Sequence, residues 1–445
     1  MKKSFSKMVS AILCLFAVNV TAQNYGDWSA LLSRDDNWFA SNSQAVTVGN
    51  QIIQYQLADG GWRKDPAVTS GEWAKSTIDN DATISEIIFL ARLYRARNTA
   101  SYLTSLQRGI DLLLNGQYTN GGWPQIFSAG SSTYHAHITF NDGAMTQVMD
   151  LLFDVSRKSA PFTFIDNDRA SRAKTAVERG IDCILRAQIV FTNGDTTAWC
   201  QQHDRNSLAP RSARAYEVPS VTASESIGIV NFLKKYNSSL GANPRRDIVL
   251  SINAAIRWLD KVKIEGIRMN DITTNGQADR VIVADPASTL WARFYELNTA
   301  RPIFVGRDGI VRYNMADIEQ ERRAGYRWYG NWPRNLIRDG LLPVPGAGLT
   351  SIINNNAQPA NCFLRISHTE NGRMINVNYT IKDKSAVQLD LFDIKGNRVR
   401  TLSRKTKNAG TYTERFSTGG LAKGMYLVKL RAGSQTLQER VLIAK

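Results

Sequence analysis

Two stretches of the chain gather more side-chain oxygen than their local structure needs. Thr77-Ile78-Asp79-Asn80-Asp81-Ala82-Thr83 and Thr139-Phe140-Asn141-Asp142-Gly143-Ala144-Met145 share one grammar, and each precedes a helical pattern. A helix start uses one Asp or Asn as its cap, and carboxylates suit its positive end, so capping accounts for one residue of each group. The surplus points to a cation. If the two helices are neighbours, Asp79, Asn80 and Asp142 converge, and hard oxygen donors of that kind suit Ca2+. Between the two lies Asn120-Gly121-Gly122-Trp123-Pro124-Gln125, followed by Tyr134-His135-Ala136-His137. The glycines open backbone conformations closed to other residues, and Trp123 offers a flat apolar face for a sugar ring. The same residues also read as an ordinary turn whose tryptophan plugs the core.

A second chemistry-bearing set is cationic. Arg211 and Arg214 fall in Pro210-Arg211-Ser212-Ala213-Arg214-Ala215-Tyr216-Glu217, and Arg293, Arg301 and Arg307 follow. A guanidinium grips a carboxylate through two parallel hydrogen bonds and stacks on aromatic rings, which suits a planar anionic ligand. Any one of these arginines taken alone also reads as a solvated surface residue. Lys75 and His137 lie close to the oxygen-rich motifs, as conventional bases or as polar contacts to a bound molecule.

The elements that must position these groups are helical. From Ser43 to Met269 apolar residues recur at three- and four-residue intervals, as in Ile84-Ile87-Ile88-Leu90-Ala91-Leu93-Tyr94, Met145-Val148-Met149-Leu152-Val155 and Ile248-Ile252-Ala255-Ile256-Leu259. The long loops between them carry most of the Trp, His, Arg and Gly, as loops that build a site do. A mainly α fold follows, an incomplete α/α toroid with a loop-lined cleft. After Pro343-Val344-Pro345-Gly346 an Asn-rich linker runs over 349–359, and from 360 to 445 the pattern alternates with period two, as in Met374–Ile381, Val387–Asp393 and Met425–Leu430. That region reads as a small immunoglobulin-like β-sandwich.

Residues 1–22 carry Lys2, Lys3 and Lys7, an apolar run and the small residues Val20-Thr21-Ala22, the pattern of a secretory signal. The apolar run is too short to span a bilayer and no later stretch is longer, so no membrane span is expected. Of the formal charge of +16, the segment 360–445 holds +10, with 16 Lys and Arg against 6 Asp and Glu, and the signal holds +3. The long middle region is then only about +3, so the basicity does not indicate nucleic-acid binding. Cys14 leaves with the signal. Cys183, Cys200 and Cys362 remain, an odd number, and the spacing of Cys183 and Cys200 leaves a short disulfide loop and two separate thiols both open.

The ordered series LADGGWRK, TIDNDAT, NGGWPQ, YHAHITFNDGAM, ARAYE, WARFYEL, RPIFVGRDG and ERRAGYRWYG, over roughly residues 30 to 345, resembles the polysaccharide lyase family 10 pectate lyases. The resemblance implies an α toroid over 23–348 that cleaves polygalacturonate, or de-esterified pectin, by β-elimination with Ca2+. It implies Asp142 as the principal calcium carboxylate, Asp79 and Asn80 as completing the site, Arg307 as the base, and Arg214 and Arg293 as substrate arginines. The family often has Gly where this chain has Asp81, which leaves open whether Asp81 adds a ligand. The carboxy-terminal order LFDIKGNRV, LAKGMYLVKL and QERVLIAK resembles the sorting domain recognised by the type IX secretion machinery, which implies a secreted or cell-surface protein; a monomer is expected. Two other readings stand beside the lyase: a toroid glycoside hydrolase using Asp79 with Asp142 as acid and base, and a non-catalytic pectin-binding protein using Trp123 with the arginines.

Overall fold

The structure, a computed structural model, describes residues 28–345 and then 364–443 apart from 369–373, 382, 394–396, 423 and 434. The expected signal, the linker over 349–359 and Cys362 lie outside the described residues. The chain divides into two compact units, Met1–Gly348 and Leu349–Lys445.

Seven helices of thirteen residues or more, among the described residues, build the first unit: α1 (Ser43–Tyr55), α2 (Ile84–Arg97), α3 (Ala100–Asn115), α4 (Ala144–Ser156), α5 (Asn167–Ala187), α6 (Glu225–Ser239) and α7 (Arg246–Lys261). Their apolar faces follow the helical period. On α5, Ala173, Ala176, Val177, Gly180, Ile181 and Ile184 are all buried. Asp166 caps that helix by accepting from the Arg169 amide at 2.8 Å. Successive helices pack in pairs, α2 with α3, α4 with α5 and α6 with α7, and the unit shares one core.

Four tryptophans repeat a single device. The indole Nε1 of Trp62 donates to Ile52 O at 2.7 Å, Trp123 to Leu113 O at 2.7 Å, Trp199 to Ile184 O at 2.8 Å and Trp291 to Leu259 O at 2.7 Å. Each acceptor lies in the last turn of α1, α3, α5 or α7, where carbonyls lack a helical partner. Each ring is buried, so the chain leaving the helix returns, plugs the core and satisfies an orphan carbonyl in one contact. Glycine makes the return tight: a Cβ on Gly60 or Gly121, at φ +100° and +95°, would collide with the carbonyl of Arg108 or Arg179.

The oxygen-rich segments are then stitched to these returns. Ile78 N donates to Gln125 O at 3.0 Å, Phe140 N to Gln201 O at 2.7 Å and Ala223 N to Arg293 O at 3.0 Å. Gln125, Gln201 and Arg293 each stand two residues beyond a plugged tryptophan, so three of the four repeats present that residue's carbonyl to the segment ahead of α2, α4 or α6.

The helical reading through Met269 does not hold. The helix ends at Lys261, and Ile264–Thr274 pairs antiparallel with Gln277–Ala292 in a long hairpin. Its turn is Asn275-Gly276 at φ 51° and 77°, both left-handed, the two-residue turn whose twist matches paired strands. In the second unit Leu364–His368, Met374–Ile381 and Gly410–Ser417 form one antiparallel sheet, and Arg398–Lys407, Ser385–Asp393, Gly424–Ala432 and Gln435–Ile443 another. Alternate residues Ile375, Val377, Tyr379 and Ile381 join Val387, Leu389, Leu391, Val428 and Leu430 in one apolar core. No described helix is long and apolar enough to cross a membrane.

Candidate active site

The tryptophan returns and the oxygen-rich segments meet at a cavity of about 200 Å3, walled by Lys64, Trp73, Asp79, Asn80, Gln125, Tyr134, Asn141, Asp142, Gln201, Gln202, Ala213, Arg214 and Glu217. A wider open depression of about 430 Å3 over Thr119, Asn120, Arg179, Asp182 and Arg186 holds none of these groups, and its Arg179 and Arg186 are spent on the carbonyls of Tyr118 and Asn120. The smaller cavity concentrates the chemistry.

Its floor is made of backbone that few residues adopt. Asn80, Asp81, Thr83 and Asp142 have φ of 48°, 64°, 67° and 49°, and the left-handed region is costly for a β-branched threonine. Thr83 is held there because its hydroxyl accepts from Trp62 N at 3.1 Å. The bends direct Asp79 inward and leave Asp142 at the rim.

Asp79 is 3% exposed and both its oxygens are engaged, Oδ2 by the Lys64 ammonium at 2.6 Å and Oδ1 by Gln125 Nε2 at 2.9 Å. Asp142 is half exposed. Its Oδ2 accepts from Asn141 Nδ2 at 2.7 Å, and its Oδ1 lies 3.5 Å from Arg293 Nη2. The circuit closes behind it: Arg293 Nη2 binds Glu225 Oε1, Gln201 Nε2 bridges Glu225 Oε1 at 3.0 Å and Asn141 Oδ1 at 2.8 Å, and Thr222 donates its hydroxyl to Glu225 Oε2. Burial opposes the Arg293 charge, but the carboxylate of Glu225, with Tyr326 and Asp142 adding, outweighs it and holds the guanidinium protonated.

Arg214 is clasped by Glu217, Nε to Oε2 at 2.9 Å and Nη2 to Oε1 at 2.5 Å, and that hydrogen bonding raises its proton affinity. Arg214, Arg307 and Arg322 lie over one ring, Tyr216, at 5.0, 5.0 and 4.4 Å from its centroid. Arg307 does not line the cavity. It is exposed, with Nε 2.6 Å from Glu321 Oε1, and Glu321 raises its proton affinity. Gly309, at φ +74°, brings this loop against the Ala215 carbonyl. Arg322, by contrast, is 5% exposed, with Nε and Nη2 unpartnered, and burial lowers its proton affinity.

The structure thus brings Asp79, Asn80, Asp142 and Arg214 to one cavity, with Arg293 against Asp142. Trp123 is a correction: it is buried in the core on Leu113 O and offers no face to a sugar. Lys75 and His137 stand off the cavity wall. Lys75 binds Glu72 Oε1 at 3.0 Å and Ser128 O at 2.9 Å, while His137 is 7% exposed beside Asp204 and is held neutral by burial with Arg211 adding. Cys183 and Cys200 are separate buried thiols, and burial pushes Cys183 up to about 12. Gln125, from the Asn120–Gln125 stretch, does line the cavity, whereas Trp73, Gln201 and Glu225 are not singled out by the sequence; Glu225 reads there as an ordinary first-turn acid of a helix.

A pectic acid lyase family model matches residues 47–337, and a secretion-system C-terminal sorting domain model matches residues 371–444. The chain belongs to the pectic acid lyase family. Among solved structures it is similar to the family 10 polysaccharide lyase from Cellvibrio cellulosa, at 33% identity over 71% of this chain and 95% of that one, with a TM-score of 0.58. A mutant of that lyase in complex with trigalacturonic acid matches equally, over 71% of this chain and 96% of that one. No curated protein matches. The chain is therefore a pectate lyase, and its sorting domain marks it as secreted or cell-surface. The hydrolase and the pure binding module give way to that assignment.

For Ca2+, the donors present are hard oxygens of Asp142, Asn80 and Asp79, with Gln125 Oε1 and Gln202 Oε1 buried and unpartnered in the same wall. Among the described residues no group of three or more His, Cys, Asp or Glu side chains gathers, so amide oxygens and ligands from outside the protein would have to complete the shell of such an ion. The hard-oxygen chemistry of the set fits Ca2+ on those terms.

Proposed function

We propose that this lyase cleaves de-esterified polygalacturonate by β-elimination at the Asp79–Asp142 cavity, releasing 4,5-unsaturated oligogalacturonates. The observation that carries the reading is the meeting of an open carboxylate, Asp142, with Arg293 at 3.5 Å in a cavity also lined by Arg214. The three helix pairs with their tryptophan returns support an incomplete α/α toroid as the scaffold. The same reading assigns catalysis to 23–348 and export to an immunoglobulin-like sandwich over 360–445, joined by 349–359.

The reaction removes the C5 proton of a galacturonate unit and expels the C4 oxygen. Asp142 and Asn80, with Asp79 once Lys64 is displaced, would hold Ca2+, which when bound supplies positive charge to the substrate carboxylate. Arg293, locked by Glu225, holds a second charge against that carboxylate, where negative charge grows as the proton leaves. The buried walls around Gln125, Gln201 and Gln202 exclude water and strengthen both effects.

The proton acceptor is an arginine. Motif order assigns it to Arg307; position favours Arg214, which lines the cavity while Arg307 does not, although both lie over the Tyr216 ring. Either guanidinium must lose a proton more readily than free arginine, whose pKa exceeds about 12, and nearby cations in a closed site act in that direction.

The test is incubation with polygalacturonate followed by ultraviolet absorbance, with and without a chelator. Conjugated product that disappears on chelation and returns with added Ca2+ is expected. Hydrolytic reducing ends without absorbance overturn elimination, and full activity in chelator overturns the calcium assignment.

A further inference from the structure

Trp73 is the tryptophan that the cavity presents, in place of Trp123. It is half-buried, lines the cavity beside Tyr134, and sits on a short turn, Glu72–Ala74, pinned from several sides. Arg63 Nε donates to Ala74 O at 2.9 Å, and the Lys75 ammonium ties the turn to Ser128 O at 2.9 Å and to Glu72. Behind the indole stands His135, edge-on at 4.9 Å and 77°, its ring 3.9 Å from that of Tyr134. His135 is 7% exposed with neither ring nitrogen partnered, and burial keeps it neutral, so it serves as a wedge that fixes the indole plane. The Lys64 ammonium lies 5.4 Å from the centre of the Trp73 ring on a side chain that is 40% exposed, and it also reaches Asp79.

We propose that Trp73 and Lys64 form a sugar subsite of this cavity, the indole face receiving the ring of one galacturonate unit and the Lys64 ammonium its carboxylate. The proposal rests on the pectate lyase reading of the same cavity. Two features carry it. A partly exposed indole lines the cavity with an ammonium within reach of its ring, on a lysine side chain that is itself 40% exposed. The ring is preorganised by His135 and by the pinned turn, so little entropy is lost when a sugar settles on it.

The test compares full-length Trp73→Ala and Trp73→Phe with the parent, reading initial ultraviolet rates on polygalacturonate and retardation in gels cast with polygalacturonate. Trp73→Ala should raise KM about tenfold, the scale of one good stacking contact, with a much smaller change in kcat and loss of most gel retardation. Trp73→Phe should recover most of the affinity. Melting temperatures should agree within a few degrees, which separates a platform from a core residue. Equal KM and equal retardation for Trp73→Ala and the parent overturn the subsite, as does a phenylalanine variant as weak as the alanine one. A parent that produces no absorbance overturns the lyase reading instead, and gel retardation of parent against Trp73→Ala still decides the subsite.

Discussion

Arg293 Nη2 stands 3.5 Å from Asp142 Oδ1 while the same nitrogen is bound by the buried carboxylate of Glu225. The residue expected to hold substrate is thus also the partner of the residue expected to hold the ion. One buried acid sets the position of both, because Glu225 fixes Arg293 and, through Gln201, fixes Asn141 beside Asp142.

Glu225→Ala should therefore be costly beyond the loss of a contact. It leaves the buried Arg293 without its counter-charge, and breaking such a pair typically costs about 3–5 kcal/mol. Glu225→Gln keeps the shape and one acceptor, so it should fold more stably than the alanine variant yet raise KM, since Arg293 loses its lock. Chemical denaturation and initial rates on both variants check this; a Glu225→Ala protein as stable as the parent would sink it.

Trp123 separates two readings of one residue. A sugar platform would lose affinity and keep its stability on truncation, whereas a plug on Leu113 O does the reverse. Trp123→Phe removes the indole donor and strands a buried carbonyl, which costs about 1–3 kcal/mol. The expected result is a lower melting temperature with KM changed only through Gln125, two residues on, and calorimetry with kinetics measures both.

Acid sensitivity should trace to His203. Its Nε2 accepts from Cys200 N at 3.0 Å and its Nδ1 bonds Leu208 O at 2.8 Å, an arrangement that requires the neutral ring. Full burial pulls its pKa down to about 4. The unfolded chain, with an ordinary histidine near 6.5, takes up the proton first, so this contribution to stability is present above about 6.5 and is lost as the pH falls toward 4. The window is worth roughly 3 kcal/mol. In urea titrations from pH 7 to 4, His203→Gln should show a flatter stability curve than the parent; parallel curves would show that the group titrates normally.

The helices were legible because each buries one face, which leaves the 3.6-residue period in the sequence, and the second unit was legible because Ile375, Val377, Tyr379 and Ile381 alternate across one sheet. The hairpin after α7 escaped because much of both its faces is solvent-accessible, so apolar alternation was weak and only Asn275-Gly276 marked it. The oxygen-rich motifs announced the cavity, since capping could not use all their side chains. The tryptophans misled. Trp123 is buried because its indole reaches the Leu113 carbonyl at the end of α3 while Trp73 sits on a short turn at the cavity, and local composition does not encode that difference.

The last prediction concerns which arginine takes the C5 proton. Arg214 and Arg307 are equidistant from the Tyr216 ring, and each is presently bound by a glutamate that raises its proton affinity, Glu217 in one case and Glu321 in the other. Their surroundings differ. The two guanidinium side chains are about equally exposed, 48% and 53%, and each is held by both oxygens of its glutamate, but Glu217 is buried in the wall of the cavity that also holds Asp79, Asn80 and Asp142, whereas Glu321 is exposed and lies outside that wall. A charge held at Asp79, Asn80 or Asp142 shares the cavity with Arg214 and not with Arg307, so it acts more strongly on Arg214. A lysine keeps the charge and loses the geometry, so it separates a base from a counter-ion. Arg214→Lys should lower kcat by about 10²–10⁴-fold, the usual cost of a missing general base, with KM little changed. Arg307→Lys should retain kcat within about tenfold and act mainly through KM. Steady-state kinetics on both variants decides the matter: the opposite ranking would return the role to Arg307 and leave Arg214 as a carboxylate clamp.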